Sequence, residues 1–394
     1  MTNFPVTSDR LLITSAKQML YFLHEYTDLW APLRLFRYIT FRALMGAGTA
    51  FVISLLLGPA IIRWLRWLKF GQYVRDDAVL EQHRRKKSGT PTMGGVLIIA
   101  AVLISTLLWA DPRNVYVWLA LGTMLAMGGV GFWDDYLKVS KKNAKGLPGR
   151  FKLALEIGWA LLVVAALYAW EPSRAHVEKL MLPFLKDPFI ASLGVAGAAL
   201  FITLVLVGAA NAVNLTDGLD GLAIGCTNSA AAAYLALAYV AGNSVAAGYL
   251  FVPFVPGSGE LAVFCGCLLG AGLGFLWYNC HPARVFMGDT GSLALGGSIA
   301  MVAVAIKQEL LLVIVGGVFV MEALSVMIQV ASFKLTGKRV FKCAPIHHHF
   351  EQIEKERAVA EQRDVEVVET MITTRFWVLG IIFALIGVAT LKIR

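Results

Sequence analysis

The stretch ASLGVAGAALFITLVLVGAANAVNLTDGLDG, residues 191–221, decides the class of fold. Its first twenty residues carry no charge and match the length of helix that crosses a hydrocarbon core of about 30 Å. Its last eleven, NAVNLTDGLDG, turn abruptly polar. A membrane span that ends on such a cluster sets a template for the rest of the chain.

The whole sequence follows that template. Of its 394 residues 58% are hydrophobic and 15% charged, and the mean hydropathy is +0.67, beyond the apolar share of a soluble globular domain. Apolar runs of about 20 residues recur, where a closed barrel would alternate over segments of about ten. The reading is therefore an all-α polytopic membrane protein. A soluble nucleic-acid binder is a poor explanation of the net charge of +9, so no nucleic-acid partner is expected.

Ten spans are predicted: 41–62, 94–110, 115–133, 153–170, 190–210, 222–241, 261–279, 293–306, 310–331 and 373–391. Positive residues in short loops stay cytoplasmic. The loop 63–93 holds eight Lys and Arg, 134–152 holds six and 332–343 holds four, whereas the alternate loops hold Arg113, then Arg174, Lys179 and Lys186, then none over 242–260, then Lys307. Both termini are thereby placed outside (periplasmic), with five cytoplasmic loops. Residues 1–40 read as an N-terminal extension with an outer interfacial segment, Tyr21 to Tyr38, and 41–394 as a single transmembrane domain. No cleavable signal is evident in Met1 to Lys17. The five Cys form no CxxC pair and read as packing residues, not as metal ligands or disulfides.

Four polar clusters fall on the cytoplasmic side of that topology, although the span count made no use of them. Asp134-Asp135 closes span three, Asn211 to Gly221 joins five to six, Met287-Gly288-Asp289 joins seven to eight, and Pro345 to His349 (PIHHH) joins nine to ten. Adjacent carboxylates raise each other's pKa unless a cation compensates, so Asp134-Asp135 calls for a metal or a basic loop. Asn211, Asn214 and Asp217 recur every three residues and suit one helical face, while Gly218 and Gly221 allow close approach of a ligand. Capping alone accounts for about one of these polar groups. Asp289, flanked by Gly288 and Gly291, suits phosphate oxygens or a hard cation. Successive side chains of His347, His348 and His349 diverge, which favours polar contact with a substrate over a zinc site. Carboxylates, Gly-rich turns and basic loops together indicate Mg2+-assisted phosphate chemistry at a membrane face, with a lipid phosphate acceptor and a soluble diphosphate donor.

The segments KSGTPTMGG (87–95), GFWDDYLKV (131–139), GAANAVNLTDGLDGLA (208–223), FLWYNCHPARVFMGDTGSLALGG (275–297) and FKCAPIHHHFE (341–351) resemble the phospho-N-acetylmuramoyl-pentapeptide transferase family, bacterial translocase I. The likeness runs from about Met19 to Arg394. It implies a ten-helix fold in the bacterial cytoplasmic (inner) membrane with the active site on the cytoplasmic face. It also implies transfer of phospho-MurNAc-pentapeptide from UDP-MurNAc-pentapeptide to undecaprenyl phosphate, giving lipid I and UMP, with Mg2+ as cofactor, membrane lipid as a partner and a homodimeric assembly.

Matched by motif, Asp134 and Asp135 resemble the family's catalytic pair and Asp289 its Mg2+ ligand. Asn214, Asp217 and Asp220 resemble the polar strip at nucleotide and metal, with Asn211 at its start. Lys87, Thr92, Asn279 and Phe286 match the uridine and phosphate surroundings. His347 to His349 match the loop that separates this subgroup from relatives that transfer GlcNAc-1-phosphate. Lys138, Lys142 and Arg150 suit phosphate contact and lipid headgroups equally. Residues 1–18 precede the family's usual start, and Glu351 to Glu369 is longer and more charged than its loop, which reads as a solvated helix. Two other readings stand beside this one: a polyprenyl-phosphate N-acetylhexosamine-1-phosphate transferase, and a transporter. The latter would place coupling groups near the midplane, where Glu322 is the clearest carboxylate; an intramembrane Glu is costly against lipid and is expected to be paired within the bundle.

Overall fold

The computed structural model describes residues 20–68, 89–140 and 146–393, and among these every named element is a helix. Two short 3-10 helices, Leu20–Tyr26 and Ala31–Arg37, precede α1 (Ile39–Trp67). Then follow α2 (Gly95–Trp109), α3 (Val115–Ser140), α4 (Gly149–Ala169), the short α5 (Glu171–Val177), α6 (Gly194–Thr216) and α7 (Leu222–Ala241). The rest are the short α8 (Ser244–Tyr249), α9 (Glu260–Asn279), α10 (Gly288–Ala305), the four-residue α11 (Leu312–Val315), α12 (Gly317–Thr336), α13 (Ile346–Ala360) and α14 (Glu366–Ala389).

Nine of these helices are long and apolar enough to cross a membrane, and α2 is a shorter apolar helix of 15 residues. All ten expected spans are thus helical. The boundaries differ in instructive ways. Span three does not end before Asp134: α3 continues to Ser140 and carries both aspartates inside it. Span eight begins earlier than expected, so Asp289 lies in the first turn of α10 and not in a connecting loop. Span nine is divided at Gly316, between α11 and α12.

Burial orders the bundle. Helix α10 is enclosed on nearly every side, α9 is next, and α12 is the least covered of the spans. Small residues allow this. On α9, Gly266 and Gly270 face the main chain of α1: a Cβ on Gly266 would meet Ala43 O at 2.5 Å, and one on Gly270 would meet Ala47 O at 2.0 Å. Helices gain little hydrophobic drive against each other in lipid, so close backbone contact through small residues supplies the packing. Helix α10 is held the same way between α3 and α6. At one end of α1, buried Arg42 makes a two-pronged pair with Glu260 on α9, at 2.7 and 2.6 Å, and the 3-10 segment covers it through Tyr21, whose ring lies 4.9 Å from the guanidinium. The five cysteines are free, three of them buried, in keeping with a packing role.

The charged stretch 351–369 is helical to Ala360 and, as expected, mostly exposed or half-buried, with Glu351 and Glu369 drawn into contacts. Glu351 is paired with His348 and Lys355. Glu369 belongs to the first turn of α14 and is 1% exposed.

Candidate active site

At the end of the bundle opposite Arg42, α3 and α10 touch by main chain. A Cβ on Gly131 would fall 2.1 Å from Asp289 O, and one on Gly95 would fall 2.2 Å from Gly291 N. Only glycine permits these approaches. They bring Asp134 and Asp135, one turn beyond Gly131, beside Asp289. The 89–95 turn is sewn to the same place: Gly94 N donates to Phe286 O (2.8 Å), Gly95 N to Met287 O (3.0 Å), and Phe286 N to Pro91 O (2.8 Å).

The carboxylates are dressed by donors from three directions. Lys138 Nζ lies 2.8 Å from Asp134 Oδ2, 3.1 Å from Asp289 Oδ2 and 3.9 Å from Asp135 Oδ1. Lys152, in the first turn of α4, approaches Asp289 Oδ2 at 2.7 Å and Asp134 Oδ2 at 3.6 Å. Leu147 N donates to Asp134 Oδ1 at 2.6 Å. Asp135 Oδ2 accepts from both the amide and the hydroxyl of Thr290, at 2.9 and 2.8 Å. Asp134 and Asp135 are each 4% exposed, so these donors stand in for water around them.

The loop after α6 closes the site from the other side. Asn214 Nδ2 donates to Ser292 Oγ at 3.1 Å, on the turn of α10 that follows Asp289. Burial, then the charges of Asp289, Asp135 and Asp220, push the Asp217 carboxyl up to about 8, against a hydrogen bond from the Gly288 amide. Asp134, Asp135, Asp217 and Asp289 therefore form a carboxylate group that two lysines do not balance. Such an excess of hard oxygen donors suits a divalent cation, which would restore the ionised form of Asp217.

The histidine loop reaches the same place by a different route. Residues 346–350 open α13, and His347 is fully enclosed, with Nδ1 3.1 Å from Glu322 Oε2 on α12. Its Nε2 faces Gly218, where an added Cβ would come within 2.2 Å. Burial holds the His347 imidazole below its ordinary value, against the pull of Glu322. His348 Nδ1 lies 2.8 Å from Glu351 Oε2, and His349 Nδ1 accepts from Lys342 N at 3.2 Å. The expected divergence holds only for His349, which packs against Phe341; the His347 and His348 rings stay together, their centroids 4.2 Å apart and both Nε2 atoms beside Gly218. Burial opposes ionisation of Glu351, yet His348 and Lys355 hold its carboxyl down to about 2.

The geometry sorts the residues expected from sequence. Asp134, Asp135, Asp289 and Lys138 meet directly, and Asn214, Asp217 and Thr92 border them; a Cβ on Gly288 would touch both Asp135 Oδ2 (2.6 Å) and Thr92 Oγ1 (2.9 Å). Asn211 instead turns toward α4, donating to buried Glu156 at 2.6 Å. Asn279 is a tie between loops, accepting from Gly221 N (3.1 Å) and donating to Val285 O (2.9 Å). Asp220 is bound by His281 Nδ1 (3.0 Å) and Ala283 N (3.1 Å). Arg150 is exposed. Lys87 and Lys142 lie outside the described residues. Sequence reasoning missed Lys152; its signal was charge, because a third aspartate at the pair requires a second cation.

The chain matches known proteins along nearly its whole length. Residues 117–307 match the family model described as glycosyl transferase family 4, and residues 87–99 match the phospho-N-acetylmuramoyl-pentapeptide-transferase signature 1. The chain is 48% identical to a phospho-N-acetylmuramoyl-pentapeptide-transferase of Koribacter versatilis (strain Ellin345), over 95% of this chain and 97% of that one. It is 53% identical to one of Granulibacter bethesdensis, over 95% of this chain and the full length of the relative. It is 49% identical to one of Methylacidiphilum infernorum, over the same shares. With identity of this order along nearly the whole length of both partners, the chain belongs to the phospho-N-acetylmuramoyl-pentapeptide-transferase family.

Proposed function

We propose that this protein transfers phospho-MurNAc-pentapeptide from UDP-MurNAc-pentapeptide to undecaprenyl phosphate, releasing UMP and forming lipid I, in the bacterial inner membrane. The observation that carries the reading is the meeting of Asp134, Asp135 and Asp289 with Lys138 and Lys152 at one end of a membrane-spanning bundle. A phosphate oxygen of the lipid forms the new bond to the sugar-linked phosphorus, and the bond from that phosphorus to the UMP oxygen breaks. Phosphoryl transfer depends mainly on alignment and on charge stabilisation. Lys138 and Lys152 supply positive charge beside the reacting phosphates. Asp134 has both oxygens engaged by Lys138 and Leu147, which suits a positioning task better than proton removal. Near neutral pH a phosphate monoester, with a second pKa of about 6, is already mostly dianionic and needs no base.

Mg2+ is the proposed cofactor, held by Asp289, Asp217 and Asn214, and would supply Lewis-acid stabilisation of the transferred phosphate. His347 to His349 are proposed to face the muramoyl-peptide side of the donor. The active face is proposed to be cytoplasmic, with both termini periplasmic and the protein a homodimer.

The test is UMP release by the purified protein in detergent. Release that requires both UDP-MurNAc-pentapeptide and undecaprenyl phosphate, and that stops on chelation of Mg2+, supports the reading. Preference for a GlcNAc nucleotide points to the hexosamine-phosphate relatives, and solute flux without UMP points to a transporter.

A further inference from the structure

Three side chains of α14 recur at intervals of four, Glu369, Thr373 and Trp377, and so lie on one face of the last helix. Each binds the main chain of the loop after α6. Glu369 Oε1 accepts from Asp220 N at 3.0 Å, Thr373 Oγ1 donates to Asp220 O at 3.3 Å, and Trp377 Nε1 donates to Gly221 O at 3.0 Å. Three main-chain groups of two adjacent residues are thus held by one helical stripe. Gly221 has φ +75°, a conformation that favours glycine, and its amide is taken by Asn279 Oδ1. The Trp377 indole also lies against Gly225, where a Cβ would come within 2.0 Å of Nε1.

Glu369 is 1% exposed and sits in the first turn of α14, where the helix dipole favours a negative side chain. Its other oxygen lies 3.8 Å from His281 Nδ1, which is 3.0 Å from Asp220 Oδ2. The last span therefore fixes the backbone of Asp220, three residues from Asp217, while His281 and Ala283 hold its side chain.

We infer that Glu369, Thr373 and Trp377 are positioning residues: the last helix sets the conformation of the 217–221 loop and through it the placement of Asp217 at the carboxylate cluster. The inference rests on the proposed phosphotransfer. A loop with two glycines in five residues has a high entropy of its own, and misplacing a reacting group by about 1 Å costs on the order of 100-fold in rate. Anchoring from α14 is what keeps Asp217 opposite Gly288 and Asp289.

The experiment compares Glu369→Gln, Glu369→Leu and Trp377→Phe in the full-length protein. Gln keeps an acceptor for the Asp220 amide, Leu removes it, and Phe keeps the ring packing while losing the donor to Gly221. Hydrogen exchange of the amides in 218–221 should quicken in Glu369→Leu and Trp377→Phe, with those around Asp134 unchanged. In the UMP assay both should lose at least about tenfold in kcat, the scale of a lost hydrogen bond to a charged or buried partner, while Glu369→Gln stays within about threefold of wild type. Wild-type kcat in both Glu369→Leu and Trp377→Phe overturns the inference, and so does a loss in Glu369→Gln equal to that in Glu369→Leu. Should Glu369→Leu not fold, Trp377→Phe decides alone. If wild-type protein releases no UMP, the functional reading fails, and the exchange rates still decide whether α14 anchors the loop.

Discussion

His347 Nδ1 lies 3.1 Å from Glu322 Oε2, and neither side chain is accessible to solvent. The pair joins α12 to the first turn of α13 across 25 residues of sequence and sets the imidazole against Gly218. The ring's Nε2 lies against the loop carrying Asp217, where a Cβ on Gly218 would come within 2.2 Å. Removing one partner leaves the other's buried polar atoms without a neighbour to offset their desolvation, at a cost of about 1–3 kcal/mol. Glu322→Leu is therefore expected to lower the thermal midpoint markedly, and Glu322→Gln, which keeps an acceptor, to do so less. Equal midpoints for Glu322→Leu and wild type would contradict the pairing.

The same pair gives a dependence on acid. Burial keeps the His347 pKa below its ordinary 6.5, so the folded protein resists a proton that the unfolded chain accepts. Stability from this group is complete above about 6.5 and is lost as pH falls through the lower folded-state value. Glu322, His348 and Glu351 are the titratable groups around it. Thermal midpoints measured from pH 7.5 to 5 should fall more steeply for wild type than for His347→Gln; parallel curves would remove His347 as the cause.

Asp289 carries two ammonium groups on one oxygen, and this makes it the hub of the site. Asp289→Asn should reduce kcat by at least about 100-fold, since it removes charge from the centre that stabilises the transferred phosphate. Lys152→Met should lose about ten- to a hundredfold, the scale of a charge-assisted hydrogen bond, with Lys152→Arg recovering part of it. Near-normal UMP release by Asp289→Asn at ordinary Mg2+ would exclude it from the chemistry.

Asp217 links metal and pH. Its carboxyl, raised from 3.8 to about 8, binds a proton in the folded protein that the unfolded chain has already released. Metal-free protein should therefore lose stability from this group as pH rises from about 4 to about 8, and no further beyond. The proposed Mg2+ would displace that proton, so the concentration that half-saturates a Mg2+-induced rise in thermal midpoint should drop by up to about tenfold for each unit that pH rises toward 8, and level off above it. Asp217→Asn should flatten the dependence. A slope unchanged in that variant would assign the proton elsewhere.

Gly131→Ala tests the backbone contact between α3 and α10. A methyl group 2.1 Å from Asp289 O has no side chain to displace, so one helix must move, at a cost of about 1–3 kcal/mol. The same movement separates Asp135 from Thr290, and kcat should fall by on the order of 100-fold. Gly129→Ala, two residues away and facing open space, is the control and should behave as wild type.

Much of this architecture was legible before any coordinates. The ten spans follow from hydrophobic runs, and the convergence of Asp134, Asp135, Asp289 and the NLTDG loop follows from counting them. Other features had no sequence signal. The stripe Glu369, Thr373 and Trp377 binds main-chain groups, which look alike at every residue. Glu322 was expected to be paired, but the 25 residues that separate it from His347 hide which partner it takes. Asn211 shared the spacing of its neighbours and still turned to Glu156, because at three-residue intervals successive side chains drift around a helix of 3.6 residues per turn.

The brevity of α2 bears on how a lipid reaches this site. Fifteen residues of helix span about 22 Å, while the apolar interior of a bilayer measures about 30 Å. One end of α2 turns through Ala110 into α3, and the other, at Gly95, rests on the turn that bears Asp289. In α3 the twenty residues from Val115 to Asp134 rise about 30 Å, so the turn 89–95 completes the crossing that α2 leaves short, and the proposed lipid phosphate would meet the carboxylate cluster where a full-length helix ends.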